Sequence, residues 1–222
     1  MFTLYSADYI NAPSNCSYPH KFEVTDTDSF ADAVRHDYVC AEYMNHYRNG
    51  DNFLGSDCLP VDCDNDHSEN PDDWVTPADV RAAFPGITFA VHYSRFNMRE
   101  KNSKPARPKF HVLFPIEYMT DAAAYSEMKK LVNTIFPYFD TKALDAARFF
   151  FGTANPEVEL YSGEMTLSEY LSAEDFDADM AKMAADPATQ RWWDVVKPLM
   201  SPLPDRAEGE FWSDMEEIYH LN

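Results

Sequence analysis

Two short alternating runs constrain this chain most. Ile87, Phe89, Val91 and Tyr93 recur at every second position, and Phe110, Val112, Phe114 and Ile116 do so again. Strand side chains point to opposite faces in turn, so each run has one apolar face to bury. Ser94 to Ala106, between them, is polar and basic. The runs predict an antiparallel pair with a long positive loop at its tip, and hence a sheet that helices or a second sheet must cover.

The flanking segments supply those covers. Thr76-Pro77-Ala78-Asp79 has Thr at the cap, Pro at the first helical position and an acid three residues on, which predicts a helix ending at Pro85-Gly86. Asp121 opens a second helix, with Tyr125, Met128, Val132 and Ile135 on one face and Pro137 as its stop. Thr166 with Glu169 predicts a third, stapled by Met165 and Tyr170. Phe30, Val34 and Tyr38 have helical spacing, so 26–38 reads as a helix capped by Thr27 or Asp28. Phe22–Val24, Phe53–Asp64, Phe149–Phe151 and Val158–Tyr161 read as strands or hairpins, and Asn65–Asp73 as a loop. The expected class is α+β, with a catalytic domain over 1–172 and an acidic helical extension over 173–222.

With 45% apolar residues, 16 Phe and 13 Tyr, the chain can build a core. No run is long and apolar enough to cross a bilayer, and the N-terminus lacks a signal-peptide pattern, so the expected location is the cytoplasm. Cys16, Cys40, Cys58 and Cys63 form no C-x-x-C pair, which argues against zinc and for reduced, mostly buried thiols.

A net charge of −20 disfavours nucleic acid as a partner until the charges are mapped. Between Val91 and Phe110 stand Arg95, Arg99, Lys101, Lys104, Arg107 and Lys109 against Glu100 alone, while 62–80 holds seven acids and no Lys or Arg. This segregation is consistent with a positive strip beside a negative pocket.

The pocket candidates begin with Asp62 and Asp64, which follow the apolar run Leu59-Pro60-Val61. On a strand they share a face, and at roughly 6 Å their repulsion costs about 3 kcal/mol at an effective dielectric of about 20. A divalent cation between them would offset that, and carboxylate oxygens suit magnesium or manganese rather than zinc. The alternative is an acidic surface loop. Arg107, Lys109 and His111 would share one strand face and match a triphosphate. Asp140 follows Phe136-Pro137-Tyr138-Phe139, and Asp145 competes with it for the place of third acid. Arg148 is either an ion-pair partner or a phosphate clamp.

Taken in order, Asp62-x-Asp64, Lys109-x-His111, and Asp140 followed by Arg148 and Gly152-Thr153-x-Asn155, the chain resembles the archaeo-eukaryotic primase superfamily over roughly 50–165. It is most similar to primase-polymerase domains of phages, plasmids and integrated elements. The resemblance implies a small α/β unit beside a modified RRM-like antiparallel sheet. It implies that Asp62, Asp64 and Asp140 ligate two Mg2+ or Mn2+ ions, and that His111 and Arg148 contact the phosphates of a nucleoside triphosphate. Arg107 and Lys109 would line the nucleotide pocket. The family's usual Ser-x-His is here Lys109-x-His111, which replaces a hydroxyl by a charge. Ser94, Arg95 and Asn97 would meet a single-stranded DNA template or primer, in a bacterial or phage-infected cell. There is no Walker A motif, so a helicase would act in trans or from a further domain. Two other readings compete: a metal-dependent nuclease, and a non-catalytic acidic DNA mimic.

Overall fold

The computed structural model describes residues 1–100 and 104–172. The helical extension expected over 173–222 lies outside the described residues, as do Lys101, Asn102 and Ser103. Residues Met1–Glu169 form one compact unit. Among the described residues no helix is long and apolar enough to cross a membrane.

Among the described residues the fold is α+β, with two antiparallel sheets. The first has four strands: β1 (Phe2–Ser6), β2 (His20–Val24), β3 (Tyr38–Val39) and β8 (Phe149–Phe150), in the order β2-β1-β3-β8. The second has five: β4 (Glu42–Tyr43), β5 (Phe53–Cys63), β6 (Phe89–Tyr93), β7 (Phe110–Met119) and β9 (Val158–Tyr161), in the order β4-β5-β7-β6-β9. The expected hairpin is β6 with β7, in register Val91↔Val112 and His92↔His111.

Alternation divides the second sheet into two apolar faces. Cys58, Ala90 and Leu113 share a core with Phe2, Leu4, Tyr38 and Phe150 of the first sheet. Phe30, Ala33 and Val34 of α1 (Thr27–Ala33) and its C-terminal edge join them. The opposite face carries Phe89 and Phe114, and Phe84, just after α2 (Pro77–Ala83), packs 5.0 Å from the Phe114 ring. Phe136 closes this layer at the end of α3 (Ala122–Ile135), 6.5 Å from Phe84.

Local signals decide where the helices start. α2 has the predicted capping box of Thr76 and Asp79 with Pro77 in its first turn. Asp121 caps α3 through the amides of Ala123 and Ala124. Thr166 and Glu169 cap each other ahead of α4 (Leu167–Ser172). Two readings change. α1 is capped by Asp26 rather than Thr27 or Asp28, and it ends at Ala33, so Tyr38 is a strand residue. In α3 the buried stripe is Tyr125, Lys129, Val132 and Ile135, with Lys129 in the place expected for Met128.

Candidate active site

Asp62 lies on the last turn of alternation of β5, directly opposite His111 on β7, and His111 lies opposite His92 on β6. Cross-strand neighbours share a face, so these three side chains form one polar row across the sheet. His111 Nε2 approaches Asp62 Oδ1 to 3.5 Å. Asp64, just beyond the strand, is held by Lys109, whose Nζ lies 2.9 Å from Asp64 Oδ1 and donates to the Asp64 carbonyl at 2.9 Å.

The third acid comes from the turn after α3. The Asp140 amide donates to the Asp62 carbonyl at 2.7 Å, which stitches this turn to the end of β5. The Asp140 carboxylate accepts from the Lys142 amide and starts a short 3-10 turn. Asp145 is engaged elsewhere: its carboxylate caps Ala147 and its carbonyl accepts from Lys129. Of the two acids left open by the sequence, Asp140 is the one beside Asp62. Arg148 Nη2 stands 3.7 Å from Asp62 Oδ2, and its Nε has no partner.

Burial sets the electrostatics. The Asp62 carboxyl is pushed up to about 7, first by desolvation and then by the charge of Asp64, against the pull of Arg148. Burial takes the His111 imidazole down to about 3 and holds His92 well below its ordinary value. The row is thus a strongly buried acid beside two neutral imidazoles.

Lys129 supports the third segment from beneath. It is buried, its Nζ donates to the carbonyls of Ala143 and Asp145, and its ammonium lies 5.0 Å from the Tyr125 ring. Burial lowers its pKa to about 8. It pins the 140–145 turn that carries Asp140 and leads to Arg148.

Arg107 is placed differently from the expectation. β7 begins at Phe110, so the alternation does not extend back to Arg107. It is fully buried, donates to the carbonyls of Asn65 and Ser68, and meets both Glu69 carboxylate oxygens at 3.1 Å. The Trp74 ring covers it at 5.3 Å. Those bonds engage both terminal nitrogens and leave Nε without a partner, so Arg107 organises the 65–74 loop.

Ser94 and Arg95 occupy the turn after β6. Ser94 Oγ accepts from the Phe96 amide, and the Arg95 guanidinium stacks over Phe96 at 5.0 Å and Phe151 at 4.4 Å. Asn97 Oδ1 accepts from the Lys109 amide. This turn therefore abuts the strand end that carries Lys109.

Two residues of the site escaped the sequence reading. His92 sits inside an apolar run, where a lone histidine reads as core. Tyr38 reads as the end of a helical stripe. Its hydroxyl lies 3.0 Å from His92 Nδ1 and 3.2 Å from His111 Nδ1. The signal for His92 was its parity with Ala90, which puts it on the His111 face once the hairpin is in register.

Whether these residues suit a divalent cation can be judged from their chemistry. The donors are carboxylate oxygens, and Asp62 carries a burial cost that a nearby cation would relieve. They fit an oxygen-ligated ion in kind. They are not preassembled: among the described residues no three His, Cys, Asp or Glu side chains converge as a metal site. Lys109 already supplies Asp64 with a counter-charge.

A family model described as L-rhamnose mutarotase (rhaM) matches residues 153–221, well under half of the chain and mostly beyond the described residues. No curated protein matches. Among solved structures the chain is similar to the AEP domain of the Cyanophage S-2L Primase-Polymerase (PrimPol). The TM-score is 0.41 at 13% identity, covering 73% of this chain and 81% of that one. A likeness that loose establishes neither a shared fold nor an activity.

Proposed function

We propose that the chain is a template-directed nucleotidyltransferase of the primase-polymerase kind. It would join a nucleoside triphosphate to a 3′-hydroxyl and release pyrophosphate. One observation carries the reading. Asp62, His111, Asp140 and Arg148 come from three separate segments and meet at one strand end, with Asp140 bonded to Asp62 through the backbone and Arg148 3.7 Å from its carboxylate.

In this reading the five-stranded sheet is the RRM-like sheet of the family. Asp62, Asp64 and Asp140 would hold Mg2+ or Mn2+. When bound, such ions neutralise phosphate charge and favour the ionised 3′-hydroxyl. The chain's own side chains do the rest. His111, neutral and buried, presents Nε2 toward the phosphates as a hydrogen-bond donor. Arg148 is partly exposed and has an unpartnered Nε, so it can turn from Asp62 to an incoming phosphate. Lys109 keeps Asp64 in place and adds a fixed positive charge. Positioning and charge of this kind suit phosphoryl transfer, which needs little covalent help. Single-stranded DNA template and primer would run along the basic turn at Arg95, with an affinity that falls steeply with salt. Replication of a mobile element is the setting this implies.

Primer extension on a single-stranded template with labelled nucleotides and Mg2+ or Mn2+ tests this. Wild type should extend, and Asp62→Ala and Asp64→Ala should not, while both variants keep a cooperative melt. Extension by both variants would refute the assignment.

A metal-dependent nuclease is the second reading, and Lys109 favours it. An ammonium bonded to a carboxylate beside a second acid can also hold a water against a scissile phosphate. Cleavage of DNA without nucleoside triphosphates would select this reading.

A further inference from the structure

Lys109 carries a fixed positive charge into the acid cluster. The residue is buried, and its ammonium donates to the Asp64 carbonyl at 2.9 Å and meets Asp64 Oδ1 at 2.9 Å. Asp66 Oδ1 stands at 3.6 Å. An ammonium has three hydrogens and no lone pair, and three oxygens of the 64–66 segment face this one.

The backbone is held as firmly as the head group. The Lys109 amide donates to Asn97 Oδ1 at 3.0 Å, and its carbonyl accepts from the Ser94 amide at 2.9 Å. The ammonium has no better berth to move to. Asp66, the other carboxylate within its reach, already meets Lys104 at 3.0 Å and Arg107 at 3.5 Å. Glu69 gives both its oxygens to Arg107. Lys109 therefore belongs to Asp64.

Charge decides what this means for the cluster. Asp62, Asp64 and Asp140 bring three negative charges. Lys109 on Asp64 and Arg148, 3.7 Å from Asp62 Oδ2, bring two positive ones. That is the charge of one divalent ion, supplied by groups tethered to the chain. A divalent ion placed against Asp64 Oδ1 would have to displace the ammonium or stand beside it. Like charges at that separation repel strongly where burial lowers the effective dielectric.

We propose that Lys109 takes the place of one of two divalent ions, so that the site holds a single Mg2+ or Mn2+. Asp62, Asp140 and the second oxygen of Asp64 are the groups left to hold it. This rests on the reading of these acids as metal ligands. It concerns the position at which the chain departs from the Ser-x-His of the family it resembles, since a serine hydroxyl brings no charge and Lys109 does.

Mn2+ binding to the full chain, at saturating non-hydrolysable nucleoside triphosphate, tests this without turnover. Two Mn2+ ions in a two-metal site lie about 3.5–4 Å apart, close enough to couple in electron paramagnetic resonance, whereas a lone ion keeps its resolved hyperfine lines. The wild type should bind one ion per chain and give the uncoupled spectrum. Lys109→Met and Lys109→Ser, which remove the charge, should each bind a second ion about tenfold or more tighter than wild type does, and show the coupled spectrum. Two coupled ions in the wild type overturn the proposal and leave the acids as metal ligands. A single ion in Lys109 variants that keep a cooperative melt also overturns it, because the lysine is then not what excludes the second. No ion bound by the wild type or by either variant refutes the metal reading, and the proposal with it. If neither variant folds, the wild-type count decides alone.

Discussion

Replacing Asp62 by Asn should make the cation-free protein more stable at alkaline pH. In the folded chain the Asp62 carboxyl is pushed from an ordinary 3.8 to about 7. Between those values the folded chain keeps a proton that the unfolded chain has lost. Stability therefore falls as pH rises through this window, and the full cost is present above pH 7. At about 1.4 kcal/mol per pH unit, the span corresponds to an upper value of about 4 kcal/mol. Asparagine keeps the shape and removes the charge, leaving Arg148, which is partly solvated, without its carboxylate partner. A net gain of about 2 kcal/mol, or roughly 4–8 °C in Tm for a domain of this size, is expected at pH 8. The assay is thermal melting in chelator at pH 5 and pH 8, repeated with millimolar Mn2+. The gain should shrink at pH 5, where the wild-type carboxyl is already protonated. Added Mn2+ should raise the wild-type Tm and leave Asp62→Asn nearly unmoved. A variant that melts at or below wild type at pH 8 refutes the claim that Asp62 is held at an electrostatic cost. A variant that responds to Mn2+ as wild type does refutes its role toward a cation.

Three further outcomes are expected. The folded-state pKa of His92 is depressed, so its contribution to stability is present above about 6.5 and is lost as pH falls below it. His92→Gln should therefore flatten the acid limb of a stability–pH curve measured by urea unfolding between pH 7 and 4. Arg107→Met removes the bonds that gather the 65–74 loop, and should cost about 1–3 kcal/mol and open that loop to limited proteolysis, with the KM for nucleotide within about twofold of wild type. Lys129→Met leaves the Ala143 and Asp145 carbonyls unpaired, and should cost about 1–3 kcal/mol by denaturant melting and lower kcat by loosening Asp140 and Arg148.

What the sequence disclosed, and what it hid, follows from the range of the forces involved. Helix starts were legible at Thr76, Asp121 and Thr166 because a cap is satisfied within three residues of itself. The β6–β7 pair was legible because alternation encodes a half-buried strand directly. Tyr38 shows the limit. Phe30, Val34 and Tyr38 are all fully buried, as the helical period implied, yet only the first lies within the helix. Periodicity reports burial, and a two-residue strand contributes too little pattern to reveal its conformation. Arg107 failed for a related reason. Pro108 breaks the strand pattern, and the partners of Arg107 lie some forty residues earlier in a loop with no period of its own. The meeting of Asp62 with Asp140 was legible as chemistry, since each acid ends an apolar run, but the backbone bond joining them was not. Whether those acids serve a nucleotide is a matter for measurement at the site itself.

The most direct such measurement is Mn2+ titration followed by electron paramagnetic resonance, with and without a non-hydrolysable nucleoside triphosphate. Binding should tighten when the triphosphate is present, and should be lost in both Asp62→Ala and Asp140→Ala. Mn2+ binding that is indifferent to the triphosphate, or unchanged in those two variants, would contradict a polyphosphate-handling acid cluster at the end of β5.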